Sequence, residues 1–253
     1  MQRYFVPKEN WEQKTVKITD DDYHHVVNVM RMKEEDELIC CHPNGQAYLC
    51  QVDSIAQKEV CCSIMEELAE NNELPIEITI AQGLPKGDKI ELIVQKCTEL
   101  GMKHFVPIQM DRTIVKWDDK KEKKKLNRIQ KIAKEASEQS HRSLVPTIHP
   151  KQTIHTLLQN GPYDHCLVAS EYLAKETQHQ SSFKHAIKQI SNGDRVLILI
   201  GPEGGFSEEE ILNLNEQGGL SIRLGNRILR TETAPIYVLS ALSFYFEEWR
   251  CEV

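Results

Sequence analysis

The sequence predicts an α/β fold, a largely parallel sheet covered by helices, preceded by a small and mostly β module. Three observations carry that expectation. Residues 1–72 break into short runs of strand-like alternation separated by turn signals such as Pro43-Asn44-Gly45. From Leu74 onward, short apolar runs alternate with longer stretches whose apolar residues recur at helical spacing, the pattern of strands joined through covering helices. Between the two lies the polar stretch Glu70-Asn71-Asn72-Glu73, so the expected domains are 1–72 and 73–253. A chain of 253 residues, 40% of them hydrophobic, buries roughly 70–75% of its unfolded surface, enough for one large core or two smaller ones.

Taken in order, the first domain holds expected strands at 4–6, 15–18, 37–41, 47–55 and 59–65. One helix is expected, at 22–30, opened by the acidic run Asp20-Asp21-Asp22. The second domain begins with a strand at 76–81. A helix at 88–100 then carries Ile90, Ile93, Val94, Cys97 and Leu100 on one face, opened by the capping pair Asp88 and Glu91 and stopped by Gly101. After a strand at 105–108, a long helix at 121–142 turns Leu126, Ile129, Ile132, Ala133 and Ala136 inward and its basic residues outward. Buried strands follow at 166–170 and 195–200 with a helix at 182–190 between them, then a helix from Ser207, a last strand at 221–224 and a nearly all-apolar last helix at 235–249.

Composition excludes several classes. No apolar run approaches the ~20 residues that cross a bilayer, and the start of the chain lacks the layout of a signal peptide, so a soluble, cytoplasmic protein without membrane contact is expected. The eight cysteines form no CxxC pair, which points to reduced core thiols and no metal site; Cys40, Cys50 and Cys62 stand where strands want small apolar residues. The net charge of −7 is unevenly spread: residues 116–134 carry an excess of six positive charges, leaving −13 for the rest. Such a patch is either a solvated helix face or a grip for phosphates.

Two loops stand where open α/β sheets keep their ligands, between a buried strand and the next helix. The first, Gly201-Pro202-Glu203-Gly204-Gly205-Phe206, holds more glycine than a tight turn needs. It carries neither a Walker pattern nor GxGxxG, and Glu208, Glu209 and Glu210 with the Ser207–Glu210 capping box already satisfy the helix start behind it. A phosphate-bearing dinucleotide is disfavoured; an adenosine ligand with a positive sulfonium suits it better. The second loop, 224–234, offers Leu224, Ile228 and Leu229 to sandwich an adenine ring, with Arg230 and Glu232 beside a hydroxyl-rich cap and Pro235 suited to a first turn. Both loops can also be read as ordinary connections.

The runs LIGPEGGFSEEEI and LGNRILRTETA, with RYFV, LPKGDKIELIVQKCTELG, DRTIVKW and RIQKIAKEASEQSHR, resemble over nearly the whole chain the bacterial family that makes N3-methyluridine in 16S ribosomal RNA, within the SPOUT (trefoil-knot) methyltransferases. The resemblance implies a PUA-like β-barrel at 1–72, expected to bind RNA through local charge, and a catalytic domain at 73–253 whose C-terminus is threaded into a trefoil knot. It implies S-adenosyl-L-methionine as cofactor, held by Ile200, Gly201, Glu203 and Gly205 from the first loop. The second loop would add Leu224, Gly225, Ile228, Leu229, Arg230, Thr233 and Ala234, and the strand end Ala169-Ser170-Glu171 a third wall. It also implies a homodimer, with 16S rRNA or the small ribosomal subunit as partner.

Methylation at N3 requires removal of the imide proton. Glu232 is the leading candidate for the general base, with Arg230 or Arg142 stabilising the uracil oxygen; Glu138 and Arg142 also stand at i,i+4 and suit a helix staple. N3 lies on the pairing edge, so the base must be unpaired or flipped. Candidate RNA contacts are Arg3, Arg112, Lys121, Lys124, Lys125 and Arg128. Alternatives are a SPOUT-fold enzyme acting on another RNA or on a ribose 2′-hydroxyl, and a non-catalytic ribosome-assembly RNA-binding protein.

Overall fold

A computed structural model describes residues 1–70, 72–159, 161–170 and 183–250. They fall into two compact units, Met1–Glu73 with Ser137–Val145, and Leu74–Ala136 with Pro146–Val253. Asn71, Glu171 and Ser182, each named in the sequence reading, lie outside the described residues.

In the first unit, β1 (Arg3–Phe5), β2 (Thr15–Thr19), β3 (Glu37–Cys41), β4 (Ala47–Ala56) and β5 (Glu59–Leu68) form a sheet in the order β1-β3-β4-β5-β2. β1 is parallel to β3 and the other neighbours are antiparallel. Register shifts between β4 and β5 at Leu49/Cys50 and Val52/Ser54 bend the strands and curl the sheet. Alternate residues Leu38, Cys40, Cys50, Val52, Val60 and Cys62 meet Tyr4, Val16, Ile18 and Val26 in one core. A smaller cluster of Ile39, Cys41 and Ala47 covers the other face of β3. The three cysteines are free, buried thiols, as expected. Helix α1 (Asp20–His24) continues as a π-helical turn, His25–Val29.

Segment Ser137–Val145 joins this unit through two buried arginines. The Arg3 guanidinium pairs with Glu70 and donates from Nη1 to the Arg142 carbonyl at 3.1 Å. Arg142 pairs with Glu73, whose Oε1 also accepts the backbone N–H groups of Ser143 at 2.9 Å and Leu144 at 3.2 Å. Each buried charge thus has a charged partner, which removal from water demands.

The second unit carries β6 (Glu77–Gly83), β7 (His104–Ile108), β8 (Thr147–Ile148), β9 (His165–Ala169), β10 (Arg195–Ile200) and β11 (Leu220–Ile222). They lie in the order β11-β9-β10-β6-β7-β8 with every pair parallel. The helices are α2 (Lys89–Glu99), α3 (Asp119–Gln139), α4 (Ile154–Gln159), α5 (Phe183–Gln189), α6 (Glu208–Glu216) and α7 (Thr233–Ser243), the last running on into a π-helical turn, Phe244–Trp249. β10 is buried from Val196 to Ile200, the continuous apolar run expected of a parallel strand covered on both faces.

Three local expectations need correction. The capping pair of α2 does not form: Asp88 makes no side-chain cap and pairs with Lys125 at 3.0 Å. Glu91 accepts from the Arg128 guanidinium at 2.6 and 2.7 Å, because a cation is the stronger partner for an exposed carboxylate. Helix α3 stops at Gln139 and not at 142: His141 takes φ 58°, its N–H reaching the Glu138 carbonyl and that of Arg142 the Ser137 carbonyl, the bonding of a Schellman stop. Arg142 therefore lies beyond the end of the helix. Finally, β8 and α4 occupy a stretch in which no element was expected. Among the described residues no helix is long and apolar enough to cross a membrane.

Candidate active site

The strand order places the C-terminal ends of β11, β9, β10 and β6 side by side, and the loops leaving three of them enclose a cavity of about 440 Å³. β10 delivers Ile200 and the loop Gly201–Phe206. β9 contributes Ala169 and Ser170, and β11 leads through Ile222 into the loop 223–232. The cavity is lined by Ala169, Ser170, Ile200, Gly201, Pro202, Glu203, Gly205, Phe206, Ile222, Arg223, Leu224, Gly225, Arg227, Ile228, Leu229, Arg230, Thr231, Ala234 and, from the first turn of α2, Lys89. Every expected cofactor residue lines it except Thr233, which opens α7 nearby, and Glu171, which lies outside the described residues.

Local chemistry explains the shape of both loops. A Cβ on Gly201 would meet the Gly205 backbone at 3.2 Å, so any other residue there would push the loop apart by a few tenths of an ångström, which glycine avoids. Gly225 has φ +82°, the left-handed region, at the point where the second loop turns away from β11. Behind the first loop the Ser207–Glu210 capping box forms as expected, each partner bonding the other's backbone N–H. Beneath the cavity, Thr231 Oγ1 donates to the Gly201 carbonyl at 2.7 Å and accepts from Gln82 Nε2 at 2.9 Å. One buried hydroxyl thereby ties the two loops to the end of β6.

At the rim, the Lys89 ammonium lies 3.0 Å from Glu203 Oε1 and 3.1 Å from Glu232 Oε2. Burial alone pushes the Glu203 carboxyl up, but its own backbone N–H, Lys89 and the Lys86 N–H outweigh that and hold it below the ordinary range. Burial likewise raises Glu232, and its backbone N–H, Lys89 and Arg230 together bring it below the ordinary range. Both carboxylates are therefore ionised at neutral pH, and they raise the Lys89 ammonium in return. The loop 223–232 also supplies Arg223, Arg227 and Arg230 to the lining, which gives the cavity cations as well as an apolar wall of Ile200, Leu224, Ile228 and Leu229.

Arg230 lines this cavity, and Glu232 meets its rim through Lys89. Arg142 is not among the residues lining the cavity; it is 2% exposed in the N-terminal unit and pairs with Glu73. Arg3 also needs correction as an RNA contact: its side chain is wholly buried against Glu70, and no surface phosphate reaches it. Arg112 is exposed beside the first loop and donates to the Gly204 carbonyl at 3.2 Å. Lys121 and Lys124 are exposed on α3, whereas Lys125 and Arg128 on the same helix are engaged with Asp88 and Glu91. Among the described residues no group of three or more His, Cys, Asp or Glu is placed to hold a metal ion.

Sequence reasoning missed Lys89, Gln82, Thr231, Phe206, Arg223 and Arg227. Lys89 lay within a quoted run, but nothing in its spacing signals that it meets residues 114 and 143 positions later. Thr231 was one hydroxyl among several, and only the fold selects which one turns inward.

Known proteins bear on this geometry. A family profile described as RNA methyltransferase domain matches residues 72–243, and one described as RNA methyltransferase PUA domain matches residues 18–65. The Bacillus subtilis ribosomal RNA small subunit methyltransferase E is 47% identical over 251 residues, 98% of each chain. Among solved structures, a Neisseria gonorrhoeae ribosomal RNA small subunit methyltransferase E bound to S-adenosyl methionine aligns with a TM-score of 0.82 at 28% identity, covering 97% of this chain and 98% of that one. A Legionella pneumophila methyltransferase in complex with the same cofactor aligns equally well, TM-score 0.82 at 29% identity over 95% and 96% of the two chains. Matched across both of its units and along nearly its full length, the chain belongs to the RNA methyltransferase family that includes the ribosomal RNA small subunit methyltransferases E.

Proposed function

We propose that this protein transfers a methyl group from S-adenosylmethionine to N3 of one uridine in small-subunit 16S ribosomal RNA. The observation that carries the reading is the cavity at the C-terminal edge of the parallel sheet, built by two glycine-bearing loops in a chain of this family. Its volume lies within the about 300–1,000 Å³ of small-molecule sites. The donor set fits the cofactor: an apolar wall for the adenine, backbone close at Gly201 and Gly205, and the carboxylate of Glu203 for a positive centre. When bound, S-adenosylmethionine supplies the electrophilic methyl group.

The chain's own residues then have to orient the uracil and remove its imide proton. Glu232, ionised at the rim, accepts that proton as general base, and Arg230, lining the same cavity, faces the oxygen on which charge gathers. Residues 1–72 act as a PUA-like RNA-binding domain and 73–253 as the catalytic domain. Arg112, Lys121, Lys124 and the exposed Arg128 contact phosphates, with Lys125 after exchange of its pair with the exposed Asp88; such an exposed pair contributes only about 0–1 kcal/mol and gives way to a stronger anion. The reading includes the trefoil knot and homodimer of the SPOUT methyltransferases. The homodimer is supported by exposed Tyr237, Phe244 and Trp249 along α7 and its extension, an apolar face suited to a second copy.

The test is label transfer from methyl-tritiated S-adenosylmethionine to unmodified 16S RNA and to unmodified small subunits, with nucleoside mass spectrometry. Labelled 3-methyluridine is the expected product. A 2′-O-methyl nucleoside or another base would redirect the specificity, and absence of cofactor binding would overturn the reading.

A further inference from the structure

We propose that Lys89 is a positioning residue for Glu232: its ammonium fastens the Glu232 carboxylate to Glu203, so that the loop bearing the general base and the loop walling the cofactor are held as one. The inference rests on the reading of Glu232 as the base.

The geometry is specific. Lys89 sits in the first turn of α2, and α2 packs against α7, the helix that Glu232 immediately precedes. One Nζ contacts oxygens from two loops, at 3.0 and 3.1 Å, so those oxygens lie within about 6 Å of each other. Without the ammonium, two carboxylates would face each other at a distance where like charges strongly disfavour joint ionisation. The charged groups around Glu232 are Lys89 from α2, Arg230 from its own loop and, across Lys89, Glu203 from the first loop. Of these two cations, only Lys89 lies within ion-pair distance of it among the described residues. Glu203 is held independently by the Lys86 N–H at 3.1 Å, so the first loop is the fixed side of the bridge and Glu232 the side that Lys89 aligns.

A pH-dependent consequence separates this role from simple packing. The base must be ionised to accept the imide proton. The Lys89 charge keeps it so toward acid, and its loss leaves Glu203 to push Glu232 the other way. Methyl transfer by wild type, Lys89→Met, Lys89→Arg and Glu232→Gln is to be measured at pH 6 and pH 8.5 with saturating cofactor, and cofactor affinity by calorimetry.

The expected result is a larger fold-loss of rate for Lys89→Met at pH 6 than at pH 8.5. Lys89→Arg recovers most of the acid-side rate, and Glu232→Gln is inactive at both. An equal fold-loss for Lys89→Met at the two pH values, with Glu232→Gln inactive, overturns the role of Lys89 alone. Activity in Glu232→Gln removes the base assignment, and the positioning role falls with it.

Discussion

The hydroxyl of Thr231 accepts from Gln82 and donates to Gly201 in a buried spot under the cavity. Thr231→Val keeps the shape and removes both bonds, leaving a buried amide N–H and a carbonyl without that partner. The expected cost is about 1–3 kcal/mol, with weaker cofactor binding because the two loops lose one of their two ties and keep only the Lys89 bridge. Thermal denaturation and calorimetry read both, and unchanged affinity would show that the Lys89 bridge alone holds the loops. Cysteines give a second prediction. Burial pushes the thiols of Cys41 and Cys166 up to about 11 and that of Cys62 to about 12, so little thiolate exists at neutral pH. Mass-mapped labelling of native protein should leave these three unmodified until denaturant is added. The core role of Cys40, Cys50 and Cys62 was legible because alternate strand positions expose it. The inward turn of Thr231, by contrast, depends on neighbours that come from β6 and β10.

Elements with long buried runs were the legible ones. β10 needs no partner information, since its apolar run from Val196 to Ile200 admits few other readings, and α2 shows its inner face as Ile90, Ile93, Val94 and Cys97. β8 escaped because two residues carry no period, and α4 because six residues cover less than two turns. The π-helical extensions of α1 and α7 depend on i→i−5 bonds, such as Arg250 N–H to the Tyr245 carbonyl, which follow from packing and leave no sequence signal. The stop of α3 was misplaced because it uses a histidine where glycine is usual. That misfit is testable: His141 at φ 58° carries strain that His141→Gly relieves. Net stabilisation should reach up to about 1 kcal/mol after the extra freedom glycine brings to the unfolded chain. A lowered unfolding midpoint would contradict the Schellman stop.

At the scale of the whole molecule, acid should act in two stages. Burial holds the His104 imidazole below its ordinary value, helped by His149 and Lys103, and burial does the same for His149. The unfolded chain therefore takes up these protons first, near pH 6.5, and stability falls as pH drops from there through the lower folded values. Glu77, held down by Lys103, and Glu91, held down by Arg128, follow the same sign from about pH 4.5 downward. Melting temperature measured across pH 8 to 4 should fall gently below 6.5 and steeply below 4.5; a rise between 7 and 5 would refute the assignment. The division of the chain into two folded units was only partly legible, since nothing in the periodicity of α3 announces that Ser137–Val145 returns to the N-terminal unit. That return has a consequence during synthesis. Glu73 leaves the ribosome well before Arg142, Ser143 and Leu144, which it holds in the finished fold. At about 5–20 residues per second, making residues 74–136 takes roughly 3–13 seconds, so the module born first is completed late, and a nascent chain stalled before Val145 would present it half-built to chaperones.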